Sequence, residues 1–211
     1  MKVALVNPPW SFHGSVYFGC REPHLPLEYG YAAALLARAG HEASIVDAHA
    51  RGLSQTDLRA EVAAIAPDAI VVTTAPSYLF WRCAPPELRI PQETRRALDG
   101  LAGLTVAVGP HASTTPRATL RKLGVDVVIM GECEEVLPDL CDAPRSAWGS
   151  VDSIAYVDGD GVRRNGGPHA SNLDTLPALA WDTGTLATHA HHHHRFDTPA
   201  EGPGAEIEAS R

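Results

Sequence analysis

The sequence predicts an α/β protein: a doubly wound, five-stranded parallel sheet in the order 2-1-3-4-5, with helices on both faces. Three observations carry that reading. Short β-branched, apolar runs alternate with helical patterns through residues 1–141. The runs are almost continuously apolar, as strands covered on both faces are. Helix starts and stops also fall where capping chemistry places them, and right-handed crossovers then join the units.

Lys2–Val6 (KVALV) opens the sheet, and Leu27–Ala39 forms the first helix, stopped by Gly40. Ala43–Val46 (ASIV) is the second strand, and Gln55–Ala66 the second helix, with Ser54 as its cap. Ala69–Thr73 (AIVVT) and Pro91–Leu101 make the third unit. Thr105–Val108 (TVAV) leads to a helix over Pro116–Leu123, where the proline ring suits a first helical position. Val125–Met130 (VDVVIM) is the last strand, followed by a helix over Glu132–Leu140. After Cys141 the pattern changes. Asp142–Ser150 is a polar connection, and Ile154–Val157 and Val162–Arg164 flank Asp158-Gly159-Asp160-Gly161, a hairpin signal. Asn172–Trp181 reads as Pro-punctuated extended chain, and Thr183–Arg211 shows no periodicity. Residues 1–141 are therefore expected as one domain, and 142–211 as a linker lying over something else.

Ligands of doubly wound sheets bind beyond the carboxyl ends of the strands, where strand order reverses, here between the first and third strands. The loops at that edge are Asn7–Pro26, Thr74–Pro91, Gly109–Thr115 and Gly131–Glu134. The first two are long for such a fold and carry Trp10, Phe12, Tyr17 and Phe18, and Tyr78, Phe80 and Trp81. They read as walls around a large flat molecule, or as loops packed on themselves or on a partner domain. In Leu104–Glu135, Gly109 and the Ala112-Ser113 pair strip bulk from the backbone where a strand gives way to a helix.

Composition excludes several classes. Lysine plus arginine number 17 against 25 acids, for a net charge of −8, which argues against nucleic acid or an anionic membrane as the main partner. No apolar run approaches the ~20 residues of a bilayer-spanning helix. The opening MKVALVNPPW lacks the apolar region of a signal peptide, so a cytoplasmic protein is expected. Cys20, Cys83, Cys133 and Cys141 form no CxxC pair and read as reduced thiols. The acidic pair and phosphoacceptor Asp of a response regulator are replaced by Asn7-Pro8-Pro9 and Thr73-Thr74, and neither GxGxxG nor a Walker A loop is present. No nucleophile–base pair is recognisable by spacing, which leaves a hydrolase without support. His189 and His191–His194 form a solvated run able to take up adventitious nickel or zinc. Among Glu132, Glu134 and Glu135, the last two suit a helix N-terminus, and Glu132 is the one expected to face a ligand.

With these residues in view, the chain resembles the N-terminal cobalamin-binding domain of cobalamin-dependent radical S-adenosylmethionine proteins, a flavodoxin-like fold. Val3–Pro9 (VALVNPP) is similar to the family's first strand and Asn-Pro-Pro loop, Pro26–Leu36 to its first helix, and His41–Ala48 to its second strand. Gly109–Ser113 (GPHAS) resembles the Gly-Gly-Pro-His turn, and Gly124–Glu134 the last strand with its Gly-Glu-x-Glu turn. Ser153–Tyr156 and Leu173–Pro177 resemble the linker that follows.

The resemblance implies cobalamin as cofactor. It would be held by Asn7, Pro8, Pro9, Trp10, Thr74, Ser77, Tyr78, Leu79, Gly109, Pro110, His111, Ala112, Ser113, Gly131 and Glu132, with the nucleotide tail beside the first and third strands. His13 and His49, the latter within the DxHxxG-like Asp47–Gly52, are the weak candidates for a cobalt ligand. Only one glycine, Gly109, stands where the family often has two. The CxxxCxxC motif is missing, and Glu208–Arg211 (EASR) resembles the lead-in to it, which suggests a fragment or a split protein. The implied partner is the radical barrel domain, in cis or as a separate chain, and the [4Fe-4S] cluster and S-adenosylmethionine belong there. Methyl transfer or rearrangement of a small molecule would be the work of that whole assembly. The alternative is a degenerate domain of the same fold whose ligand edge serves protein–protein contact.

Overall fold

Strands β1 (Lys2–Asn7), β2 (Glu42–Asp47), β3 (Ala69–Thr73), β4 (Leu104–Val108) and β5 (Val127–Ile129) lie in the order β2-β1-β3-β4-β5, all parallel. The computed structural model describes residues 1–11, 23–77, 87–181 and 183–188. The order is the one expected, but the sheet is larger. β6 (Ile154–Asp158) pairs antiparallel with β5, and β7 (Gly161–Arg164) with β6, giving seven strands rather than five. The hairpin assigned to the linker thus continues the sheet. Its chemistry explains why. β5 is buried at every position, and without a neighbour its outer edge would leave buried ladder groups unpaired. Ile154, Ala155 and Tyr156 are buried in turn.

The helices are α1 (Leu27–Arg38), α2 (Gln55–Ile65), α3 (Arg89–Ala97), α4 (Pro110–Thr114), α5 (Pro116–Leu123), α6 (Val136–Asp142) and α7 (Thr183–Thr188), with a 3-10 turn over Arg145–Ser150. Alternation along each strand divides the core. Val3, Leu5, Val71 and Ile129 pack with Tyr29, Leu36, Leu137, Leu140 and Trp148 on one face. Ala4, Val6, Ile70 and Val72 pack with Leu58, Val62 and Leu98 on the other. Ser54 caps α2 as expected. It accepts from Asp57 N–H at 3.1 Å while the Asp57 carboxylate accepts from the Ser54 amide.

Several boundaries differ from the expectation, and three of them have a local reason. α3 begins at Arg89 and contains Pro91 as its third residue, tolerated because first-turn amides have no intrahelical acceptor. β5 is shorter and begins at Val127, next to Asp126, whose carboxylate takes the Thr105 N–H and hydroxyl at 2.9 and 2.6 Å. α6 starts at Val136 rather than Glu132, since Glu132 and Glu135 are occupied by residues 169–175. α4 is an additional helix in a segment read from sequence as a loop.

Tyr29 lies beneath the gap between β1 and β3. It is wholly buried, and its hydroxyl donates to Val6 O at 3.1 Å and Val71 O at 3.3 Å. Burial, the largest cause, and the neighbouring Glu28 carboxylate hold its phenol well above the usual range. Cys133 and Cys141 are buried reduced thiols, and burial pushes the Cys141 thiol up to about 11. Cys20 and Cys83 lie outside the described residues.

Tyr29→Phe should lower stability by ~1 kcal/mol in urea denaturation, the typical net worth of one buried hydrogen bond. An unchanged midpoint would deny the hydroxyl its bridging role. Cys141 should be alkylated by iodoacetamide at pH 8 about a hundredfold more slowly than an unperturbed thiol, the ratio of thiolate fractions. Peptide mapping after timed quenching measures this.

Candidate functional site

At the carboxyl edge of the sheet, each loop is tied to its neighbour by one or two side-chain hydrogen bonds. Between β1 and β2, Asn7 Nδ2 donates to Asp47 Oδ1 at 2.8 Å, and the same oxygen accepts from Ala50 N–H at 3.0 Å. Trp10 Nε1 donates to Asn7 Oδ1 at 2.8 Å. Between β3 and β4, the Thr74 hydroxyl donates to Val108 O at 2.8 Å and accepts from His111 N–H at 3.3 Å. Between the turns after β4 and β5, the Ser113 hydroxyl donates to Gly109 O at 2.9 Å and accepts from Gly131 N–H at 2.8 Å. Ser77 closes the set from the other side, donating to the Glu28 carboxylate of α1. The result is a ledge of neutral hydroxyls, amides and backbone.

Two glycines on this ledge have positions that need glycine. Gly109 sits at φ 100°, ψ −167° as β4 turns into α4, a region essentially closed to any residue with a Cβ. Pro110 then opens α4 at its first position, and Ala112 is buried beneath it. Gly131 has φ 81°, and it pairs as an isolated parallel bridge with His169. A Cβ on Gly131 would overlap the backbone nitrogen and oxygen of His169.

Beyond β7, residues 169–181 form a strap anchored at both ends. His169 N–H donates to Met130 O at 2.9 Å, and Glu132 N–H to His169 O at 3.0 Å. The Glu132 carboxylate accepts from Ser171 N–H, and Glu135 Oε2 lies 2.7 Å from His169 Nε2. At the far end, Ala180 N–H donates to Gly30 O, and Trp181 and Leu179 lie against Gly30. Glu132, expected to face a ligand, therefore holds the strap. Glu135, expected to serve a helix N-terminus, does the same. Asp47 ends β2 as a buried polar terminator.

The structure brings Asn7, Pro8, Pro9, Trp10, Thr74, Ser77, Gly109–Ser113 and Gly131 to one edge. Trp10 is buried at 8% exposure, so it supports the loop rather than standing as an open wall. His49 lies in the turn after β2, outside β1 and away from the switch point between β1 and β3. Tyr78 and Leu79, His13, the aromatics Phe12, Tyr17, Phe18, Phe80 and Trp81, the histidine run and Glu208–Arg211 lie outside the described residues. Among the described residues, no three His, Cys, Asp or Glu side chains cluster as a metal site. Sequence reasoning missed Glu28 and Tyr29 because an acid and a tyrosine inside an amphipathic helix carry no signal of a role at a sheet edge.

Comparison with known proteins now bears on this edge. The family model described as "B12 binding domain" matches residues 20–141. The chain belongs to the B12-binding domain family. It is 27% identical over 187 residues to an uncharacterized methyltransferase of Pyrococcus horikoshii, covering 86% of this chain and 38% of that protein. The chain thus spans well under half the length of that relative. Among solved structures, the radical S-adenosylmethionine methyltransferase TsrM from Kitasatospora setae, with cobalamin and a [4Fe-4S] cluster bound, matches at TM-score 0.58 and 22% identity. That match covers 78% of this chain and 30% of TsrM. The cobalamin-dependent S-adenosylmethionine radical enzyme OxsB, with aqua-cobalamin and S-adenosylmethionine bound, matches at TM-score 0.61 and 17% identity, over 84% of this chain and 24% of OxsB. These likenesses establish a shared fold for the B12-binding domain.

Gly131→Ala should detach the strap from the β5 turn. Hydrogen exchange at residues 169–175 should rise at least about tenfold while the sheet core keeps its protection. Uniform exchange in the variant and the parent would show that the bridge is not what holds the strap.

Proposed function

We propose that this B12-binding domain holds cobalamin at the carboxyl edge of its sheet, as the cofactor module of a radical S-adenosylmethionine enzyme. The observation that carries the reading is the glycine-only conformation of Gly109 at the switch edge, within the family match. It brings bare backbone to the place where a doubly wound sheet receives its ligand. The ledge also suits the ligand's chemistry. Cobalamin is large and amide-rich, and the edge offers neutral hydroxyls and backbone, with its carboxylates already engaged.

In this reading Asn7, Pro8, Pro9 and Trp10 form one side of the site, and Thr74, Ser77, Tyr78 and Leu79 the other. Gly109, Pro110, His111, Ala112 and Ser113 make its floor, and Gly131 and Glu132 its rim. Asn7 and Thr74 hold their loops in place. Bound cobalamin supplies a cobalt centre able to carry a methyl group, and the protein's share is to hold, orient and shield it. The [4Fe-4S] cluster and S-adenosylmethionine belong to a barrel partner, in cis or as a separate chain. In this reading the setting is cytoplasmic. Among the described residues, no helix is long and apolar enough to cross a membrane.

Purified protein mixed with hydroxocobalamin should keep the corrin absorption spectrum through desalting, and Gly109→Val should lose at least about tenfold in affinity. Complete loss of colour from the parent would return the edge to the alternative, a surface for protein contact.

A further inference from the structure

On one face of the sheet the layer of helices stops short of the last strand. α2, α3 and α5 cover that face from β2 to β6, and β7 lies beyond α5 with Val162 only partly covered. Between α5 and the β6–β7 hairpin runs a groove of about 670 Å³, floored by Ala155 and Val162 and walled by Ala118. Val157, on the same face of β6 as Ala155 by strand alternation, is 41% exposed. Arg117, Arg121, Lys122 and Arg164 form the rim, all with exposed side chains. Among the described residues none of these four cations forms an ion pair, whereas Arg51, Arg89, Arg95, Arg145 and Arg163 each do.

Helix electrostatics accounts for Arg121 and Lys122, which lie in the last turn of α5, but not for Arg117. Arg117 is the second residue of that helix, beside its positive end, and one turn from a like charge at Arg121. Both placements are unfavourable in isolation. Carboxylates brought to the rim from outside would relieve them, and the apolar floor between the cations asks for apolar side chains on the same partner. An added strand fits less well, because β7 has four residues and carries Arg163 and Arg164 on its edge. A helix laid beside α5 would instead continue the helical layer over β7. With a net charge of −8, the rest of the chain offers little to nucleic acid.

We propose that this groove docks an acidic amphipathic helix of a partner protein, its apolar stripe on Ala155 and Val162 and its flanking carboxylates on Arg117, Arg121, Lys122 and Arg164. The groove lies on a face of the sheet rather than at its carboxyl edge, and its role is independent of the cobalamin reading.

The probe for the full chain is a fluorescein-labelled peptide of about five helical turns, with leucines in an i, i+3, i+4, i+7 stripe and glutamates on either side. Its anisotropy should show saturable binding, weakened by salt and at least about tenfold tighter than for the same peptide with glutamine in place of glutamate. Combining Arg117→Glu with Arg121→Glu should cost about tenfold for the glutamate peptide and reverse the preference toward a lysine counterpart. That reversal requires a folded groove, and an unchanged urea midpoint checks the fold separately. Amide chemical shifts should move most at Ala118, Ala155 and Val162. Equal binding of the glutamate and glutamine peptides, or binding untouched by the charge reversal, would overturn the proposal. So would tighter binding of duplex DNA or phosphatidylglycerol vesicles through the same arginines, or a dimer of the parent that the charge reversal dissolves, since each assigns the groove to another occupant.

Discussion

The arrangement depends on keeping β1 and β3 together at the point where strand order reverses. The two strands pair directly as a parallel ladder from Val3 and Ala69 to Val6 and Val72, which holds them along their length. Tyr29 does so from below, with one hydroxyl shared between Val6 O and Val71 O inside a fully buried ring. The phenol lies so deep that ionising it is disfavoured, which keeps its proton available to the two carbonyls. The first turn of α1 thus serves two levels at once: Tyr29 bridges the strands, and Glu28 reaches the β3 loop through Ser77.

Above that gap, the edge is organised as a relay of short hydrogen bonds between adjacent loops. Asn7 answers Asp47, Thr74 answers Val108 and His111, and Ser113 answers Gly131. Most of the polar atoms nominated as ligand contacts are therefore already partnered within the protein. Their contribution is to fix the path of the backbone, and the ligand meets what the backbone leaves open. This is an economical way to hold a large neutral cofactor, because backbone already tied in place loses little entropy on binding.

The sheet's order and its five central strands were legible in the alternation of apolar runs and helical patterns, because burial on both faces leaves a strong mark on composition. The hairpin strands β6 and β7 were legible as a hairpin but not as part of the sheet, and the short α4 was not legible at all. β6 and β7 sit at the end of the sheet, where only part of each strand is covered and the pattern is diluted by Arg163 and Arg164. α4 spans only Pro110–Thr114, too short for periodicity to register. The Pro110 signal was present, but it was read as a turn. Glu132 and Glu135 show the same limit at the site. Their placement after a strand suggested ligand and helix roles, and their actual partners, Ser171 and His169, lie more than thirty positions away.

By itself, the sequence determined the fold class and the family resemblance, since each rests on local pattern and on short motifs kept in order. Tertiary structure decided which polar side chains are occupied and by whom. It showed the linker hairpin joining the sheet, the strap closing on Gly131 and Gly30, and the Ser77 proton committed to Glu28. The physical reason is that hydrophobic periodicity is written along the chain, whereas a hydrogen bond depends on two groups meeting within about 3 Å, which only the folded chain specifies.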